Sequence, residues 1–167
     1  TAAGGVALLI SAAKQAGIKH DPERIKWAVT RSARWVPHID AYKQGNGVFN
    51  VAGAWELLKR LDAVPTLLSI TSRAPVRHSF SHLLPTPHEG LGLYERDGWA
   101  PGKRQERTIT FTRTSGPSQP MTFALSWAGN DHGAFSAPLS VTLPLNRPVP
   151  VTLAVEPPGF GVFTAHL

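Results

Sequence analysis

Residues 1–17 read TAAGGVALLISAAKQAG and decide the fold of the first part of the chain. Four apolar residues in this stretch recur at the i, i+3, i+4, i+7 spacing of one helix face, namely Val6, Leu9, Ile10 and Ala13. Leu8 and Ala12 widen that stripe. We therefore expect a helix over residues 2–16 that is buried on most sides, with Gly17 as its stop.

Two further helices are predicted before residue 64. Asp21-Pro22-Glu23 has the order of an N-cap, a proline at the first helical position and an acid near the positive helix end. This second helix is expected to end by Arg34. The third is expected to begin after Asn50 as its N-cap and to run to about Leu61. Gln44-Gly45-Asn46-Gly47 lies between them and predicts a turn.

The composition changes at Pro65, after which proline, threonine, serine and glycine recur at short intervals. We place a domain boundary there, between residues 1–64 and 65–167. Strands are predicted where apolar and polar residues alternate, over 108–113 and 121–127, and also near 66–70, 76–80, 91–95, 139–143, 149–155 and 160–165. Short strands with turn residues about every dozen positions indicate an antiparallel β-sandwich of Ig or jelly-roll type, with about seven to eight strands. The fold class is thus α+β.

Composition excludes several classes of function. The chain of 167 residues has no cysteine, which excludes a disulfide framework, thiol catalysis and cysteine-ligated zinc. The net charge of +6 is spread along the chain without stacking aromatics, so we read it as a solvated basic surface rather than a nucleic-acid site. No apolar run is long enough for a membrane span, and no membrane partner is expected. The compartment stays open between cytoplasmic and secreted.

Candidate metal and catalytic residues are few. His78 and His82 are four positions apart, which suits a metal only on a helix, and residues 76–80 are predicted as strand. Asp131-His132 lies in a glycine-rich turn, where both residues are expected from turn chemistry alone. The serines Ser11, Ser32 and Ser69 lie in no Gly-x-Ser-x-Gly context. We therefore predict no metal, no cofactor and no catalytic residue within the chain.

The tryptophans are predicted to fill space rather than to bind ligands. Four of them are assigned to the core or to a domain interface: Trp27, Trp35, Trp55 and Trp127. Trp99, near Gly98 and Pro101, is the candidate for a surface contact. A carbohydrate-binding sandwich would need several exposed aromatics in a row, which is not the pattern here.

Three segments in order resemble the end of the catalytic domain of subtilisin-like serine peptidases. Residues 1–9 are similar to the helix that follows the nucleophilic serine, in which paired glycines such as Gly4-Gly5 allow close packing. Residues 21–29 resemble the Pro-x-x-(Ile/Val)-(Lys/Arg) helix, and residues 44–54 resemble the Gly-x-Gly-x-(Val/Ile) closing motif. Residues 92–97 are similar to a Gly-Ile-Tyr-x-Arg-Asp segment in the tripeptidyl peptidase II-like members, which carry a β-sandwich after the catalytic domain.

The resemblance implies a parent protein that hydrolyses peptide bonds by a Ser-His-Asp mechanism, as endopeptidase or tripeptidyl peptidase. The serine of the Gly-Thr-Ser-Met-x-x-Pro motif is then expected just upstream of Thr1, so residues 1–167 alone should be inactive. Implied partners are peptide or protein substrates, the remainder of the catalytic domain and, as an option, copies of itself in a homo-oligomer. The alternative is a non-catalytic β-sandwich module for assembly or substrate positioning.

Overall fold

The computed structural model describes residues 2–64 and 67–167. The chain divides into two compact units, one that ends at Leu67 and one that begins at Leu68. We call them the helical unit and the sandwich unit. Residues 65 and 66, where the sequence placed the boundary and the start of a strand, lie outside the described residues.

The helical unit contains the three predicted helices and a short fourth one. The long helices are α1 (Ala2–Ala16), α2 (Pro22–Ser32) and α4 (Val51–Leu61), and α3 (Ala41–Gln44) is a single turn between the last two. The predicted caps are confirmed: Asp21 accepts a hydrogen bond from the Arg24 amide at 2.8 Å, and Asn50 accepts one from Gly53 at 3.0 Å. Gly17 ends α1 with a φ of 68°.

One core holds the three long helices together. It consists of Leu9, Ala13, Ile25, Ala28, Ala54 and Leu58. The prediction that α1 is buried on most sides is wrong within this chain. Only Gly5, Leu9 and Ala13 are buried, and Leu8 is 65% exposed. The apolar stripe is therefore wider than the face that the other helices cover.

The sandwich unit has two layers. Its larger sheet has the order β2 (Glu89–Gly90), β1 (Ile70–Arg77), β4 (Gln105–Arg113), β8 (Pro148–Val155), β6 (Phe135–Ser136). Neighbours on this path are antiparallel, and the two-residue strand β3 (Tyr94–Glu95) adds to β1 in parallel. The second layer is the pair β5 (Met121–Ala124) and β7 (Ser140–Leu143).

The alternation predicted for β4 identifies which of its side chains face the core. Ile109 is buried and Phe111 half-buried, while Thr108 points to solvent. The core cluster between the layers consists of Ala74, Ile109, Val141, Leu143, Val151 and Leu153, with Phe111 and Phe123 packed against it. The antiparallel sandwich predicted for this part of the chain is thus present in outline.

Several strand predictions need correction. Residues 160–165 form no strand, and Phe160 is 96% exposed, so this segment has no core to face. It contacts the rest of the sandwich unit through the Phe163 ring, which meets His132, and near its end, where Ala128 and His166 exchange two backbone hydrogen bonds of 2.8 Å. The strand predicted over 121–127 ends at Ala124, and the short strands β2 and β6 were missed.

The β8 side of the large sheet has few free donors. Glu156 donates its backbone N–H to Ala134 at 2.8 Å, so even-numbered residues of β8 point their N–H toward the β6 side. Pro148 and Pro150 share that parity and have no N–H, and β6 covers β8 only at Ala154 and Val155. The uncovered part of this edge therefore presents little to an incoming strand.

Candidate functional site

Helix α1 is the element to which the sequence assigns a role behind a catalytic serine. A Cβ added at Gly5 would overlap the Phe49 ring and lie 3.0 Å from the Val51 Cγ2. A Cβ added at Gly4 would meet nothing within 4 Å. Close packing thus explains Gly5, as expected from the sequence, but within this chain it does not explain Gly4.

The exposed face of α1 is made of small and apolar side chains in its first two turns, whereas Ser11, Lys14 and Gln15 are exposed farther along the helix. Its exposed residues include Ala2, Ala3, Gly4, Ala7 and Leu8. Such a face is unusual for solvent contact, because charged or polar residues normally occupy the outer side of an amphipathic helix. It is a surface of the kind that another part of a protein covers.

The Gln44–Gly47 motif acts through its backbone and one amide side chain. Gln44 accepts a hydrogen bond from the Val36 amide and donates to the Val36 carbonyl, both at 2.9 Å, so it replaces a neighbouring strand for that residue. At Gly47, with φ 109°, a Cβ would collide with the Arg34 carbonyl. The motif therefore fixes the loop between α2 and α4.

Buried Arg24 binds backbone carbonyls at and after the end of α4. Its side chain is 3% exposed, forms an ion pair with Asp21 at 3.2 Å and donates to the carbonyls of Leu61 and Val64. The arginine thus joins the start of α2 to the end of α4. Its role is to hold the unit's last residues in place.

A second buried arginine, Arg113, organises the sandwich unit. Its guanidinium donates to four carbonyls, those of Leu143, Ser115, Pro117 and Gln119, at 2.7 to 3.1 Å. The side chain is 0% exposed. Backbone dipoles therefore solvate the charge, and the residue has a structural role that the sequence did not reveal.

No serine in the described residues stands in a Ser-His-Asp arrangement. Ser81 Oγ lies 2.7 Å from His88 Nδ1, a pair that the sequence analysis missed. Ser81 is only 2% exposed, however, so its hydroxyl cannot reach a substrate. We interpret the pair as a structural contact that holds the short 3-10 helix Ser81–Leu83 against the loop at His88. The serine expected upstream of Thr1 stays a prediction.

The histidines do not form a metal site in the part of the chain that the structure describes. His78 follows the end of β1 and accepts a hydrogen bond from Phe80, and its ring lies 5.7 Å from that of Tyr94. His82 lies in the 3-10 helix. Residues 2–64 and 67–167 contain no group of three or more candidate ligands.

The Asp131-His132 turn is organised by the residue before it. Asn130 donates to the Phe135 carbonyl at 2.7 Å and accepts from the Phe135 amide at 3.2 Å. It thereby occupies both groups that Phe135 turns away from β8. His132 contacts the ring of Phe163 edge-on, with centroids 5.6 Å apart. The turn thus has the structural chemistry expected from its residues.

Trp99 is held within the sandwich unit rather than free at its surface. Its indole N–H donates to the Lys103 carbonyl at 2.7 Å, and the Arg107 guanidinium lies 4.6 Å from its ring centroid. Arg107 in turn forms an ion pair with Glu95 at 2.5 Å. The other tryptophans are half-buried, which suits the packing roles predicted for them.

Among the described residues of the helical unit, the side chains of Asp21 and Lys43 have shifted pKa values. The backbone hydrogen bond from Arg24 lowers the pKa of Asp21 below its ordinary value. The side-chain hydrogen bond with Asp40, at 2.7 Å, raises the pKa of Lys43. The first cause is a capping contact and the second is an ion pair three residues apart, so neither shift indicates a catalytic group.

None of the helices among the described residues is long and apolar enough to cross a membrane. Comparison with known proteins gives a family match for the sandwich unit. The family described as "Ig-like domain in actinomycete serine proteases" matches residues 71–167, which is more than half of the chain. No solved structure shows a significant match.

Similarity to whole peptidases is confined to short segments. The chain is 37% identical to tripeptidyl-peptidase 2 of Caenorhabditis elegans over 60 residues, which is 36% of this chain and 4% of that protein. It is 45% identical to tripeptidyl-peptidase 2 of Drosophila melanogaster over 56 residues, 34% of this chain and 4% of that protein. It is 40% identical to pyrolysin of Pyrococcus furiosus over 67 residues, 35% of this chain and 5% of that protein.

These relatives are subtilisin-like peptidases, so the resemblance read from the sequence is confirmed. The matched segments span only 4% to 5% of the length of the relatives.

Proposed function

The chain belongs to the family of Ig-like domains in actinomycete serine proteases, and from that membership we propose that it is part of a subtilisin-like serine peptidase. The helical unit is the C-terminal segment of the catalytic domain, and the sandwich unit is the Ig-like module that follows it. The parent hydrolyses peptide bonds by a Ser-His-Asp mechanism, with all three catalytic residues outside residues 1–167.

One observation carries the assignment of the helical unit. In its first two turns, the outer face of α1 is lined by alanine, glycine and Leu8, which is 65% exposed. The remainder of the catalytic domain is the partner that we propose for this face. Gly5 meanwhile lets α1 pack tightly on Phe49 from the other side. A helix held between two layers in this way keeps a fixed position behind a reactive group.

The chemistry that α1 contributes is electrostatic. The first N–H groups of a helix have no intrahelical partner, and the helix dipole places a partial positive charge there. Negative charge that develops on the attacked carbonyl oxygen is stabilised by such oriented donors. We propose that α1 supplies this field near the serine and holds the serine's backbone in register.

The decisive test joins the upstream part of the gene product to this chain. We expect a Gly-Thr-Ser-Met-x-x-Pro motif directly before Thr1, hydrolysis of peptide substrates, and labelling of the motif serine by a fluorophosphonate. Residues 1–167 alone should show neither reaction, and replacement of the motif serine by alanine should remove both. An upstream sequence without the motif would refute the proposal.

The face of α1 gives a second test with a matched control. Leu8→Lys should leave the stability of residues 1–167 nearly unchanged, because the side chain is mostly exposed. In the parent it should reduce folding yield or activity, because a buried unpaired charge is costly. Leu8→Met keeps the apolar character and should be tolerated in both. Equal tolerance of lysine in both proteins would argue against a covered face.

The alternative function, a non-catalytic module for assembly or substrate positioning, applies to the sandwich unit. Its exposed apolar side chains, among them Leu139 at 86% and Phe160 at 96%, favour a contact role. To separate assembly from substrate positioning, the parent protein is compared with a version that lacks residues 68–167. Unchanged peptidase activity with a changed oligomeric state would assign the module to assembly.

A further inference from the structure

A cleft of about 290 Å³ opens at one end of the larger sheet. It lies where β4 begins and β8 ends, beside the short strand β6. Six residues that matter for its chemistry line it: Arg104, His132, Ser136, Glu156, Pro157 and Pro158. The turn at His132 and the prolines after β8 thus line one concave surface.

The polar groups of the cleft have both signs of charge and are available for a ligand. In the described parts of the chain, Arg104 and Glu156 have no ion pair and no side-chain hydrogen bond, and both are exposed. His132 makes a ring contact with Phe163 only along its edge. The cleft therefore offers a guanidinium, an imidazole and a carboxylate to a ligand.

The base of the cleft is apolar. Ala134 is 2% exposed and Ala154 is 7% exposed, and Pro157 is also buried. Phe160, two positions after the lining residue Pro158 in the chain, is 96% exposed. An apolar base with a charged rim is the usual composition of a site for a small amphipathic ligand.

We propose that this cleft binds the C-terminal end of a short peptide. The terminal carboxylate pairs with Arg104 and His132, and the last side chain packs against Pro157 and Pro158. Glu156 accepts a hydrogen bond from an N–H group of the peptide. The choice of a peptide rests on the proposed function, since a peptidase handles such chains.

The charge pattern favours this ligand over other anions. Glu156 would repel an inorganic anion or a nucleic-acid backbone, which has no donor to offer it. A peptide end supplies a carboxylate, N–H donors and an apolar side chain together. Each of the three features of the cleft then has a partner.

The experiment titrates residues 1–167 with the tripeptide Ala-Ala-Phe and, separately, with its C-terminal amide, and follows backbone amides by NMR. The free acid should shift the signals of Gly102 and Gly133, which line the cleft, in a saturable way, with a Kd in the millimolar range or tighter. The amide should bind about tenfold more weakly, because it lacks the charge that Arg104 pairs with.

Two variants test the assignment of the carboxylate. Arg104→Gln should weaken binding of the free acid by about tenfold and leave binding of the amide unchanged. Arg147→Gln removes the same charge from an exposed site at the start of β8, away from the cleft, and should change neither. Equal affinity for acid and amide, equal effects of the two variants, or no saturable shift up to about 20 mM peptide would overturn the proposal.

The titration needs no catalytic serine, so its outcome is independent of the peptidase test. Binding without an active parent would retain the site and reject the proposed function. An active parent with no binding at the cleft would retain the proposed function and reject the site.

Discussion

Replacement of the paired glycines of α1 by alanine tests how the helix is packed. Each replacement gains helix propensity, about 1 kcal/mol in a helix interior. At Gly4 the new Cβ meets nothing within 4 Å, so Gly4→Ala should stabilise residues 1–167 by up to about 1 kcal/mol. At Gly5 the Cβ overlaps Phe49 and lies 3.0 Å from Val51, and overpacking of this kind costs about 1–3 kcal/mol.

The difference between the two variants is the informative quantity, because the propensity gain is common to both. Gly5→Ala should be less stable than Gly4→Ala by about 1–3 kcal/mol. Urea unfolding followed by circular dichroism at the helix band measures both midpoints. A double variant Gly5→Ala with Phe49→Leu, which removes the ring, should recover much of the loss. Equal stability of the two single variants would refute the packing described for α1.

Three further predictions follow from side chains with defined hydrogen bonds. Arg113→Met leaves four carbonyls without their donor and should cost about 3 kcal/mol or more by urea unfolding, whereas Arg113→Lys should be intermediate. Asn130→Asp should destabilise more than Asn130→Ala at neutral pH, because a carboxylate would face the Phe135 carbonyl; a thermal shift in the opposite order would contradict this contact. The pKa of Asp21 is lowered in the folded chain, so its contribution is complete above its unfolded pKa and is lost as the pH falls through the folded value. The stability difference between wild type and Asp21→Asn should therefore change only in acid, and a change near neutral pH would exclude this cause.

The helices were predictable because their signals are local. The caps at Asp21 and Asn50 act on residues three positions ahead, and Gly17 supplies the positive φ that ends α1. Periodicity also identified β4, whose alternation matches its burial. It overestimated the burial of α1, because an apolar stripe shows which residues avoid water but not which partner covers them.

The polar contacts that define the loops escaped prediction for a physical reason. Gln44, Asn130 and Arg113 act by side-chain bonds to backbone groups, and these bonds leave no periodic pattern. Arg113 reaches Leu143, thirty positions away, only because the strands bring them together. The pair Ser81 and His88 likewise depends on the path of a loop. Alternation without a buried face also misled the prediction of a strand over 160–165.

The proline-blocked edge of β8 and the Asn130 amide that occupies the backbone groups of Phe135 together bear on how this sheet meets other chains. Extended polypeptides pair with open sheet edges, so an edge with free backbone donors would accept a strand from another chain. Here strand addition is limited because few backbone donors at this edge are free, and neither bulky nor charged side chains are needed to block it. Substitutions at these positions are thus expected to increase aggregation at high protein concentration sooner than they lower stability in dilute assays.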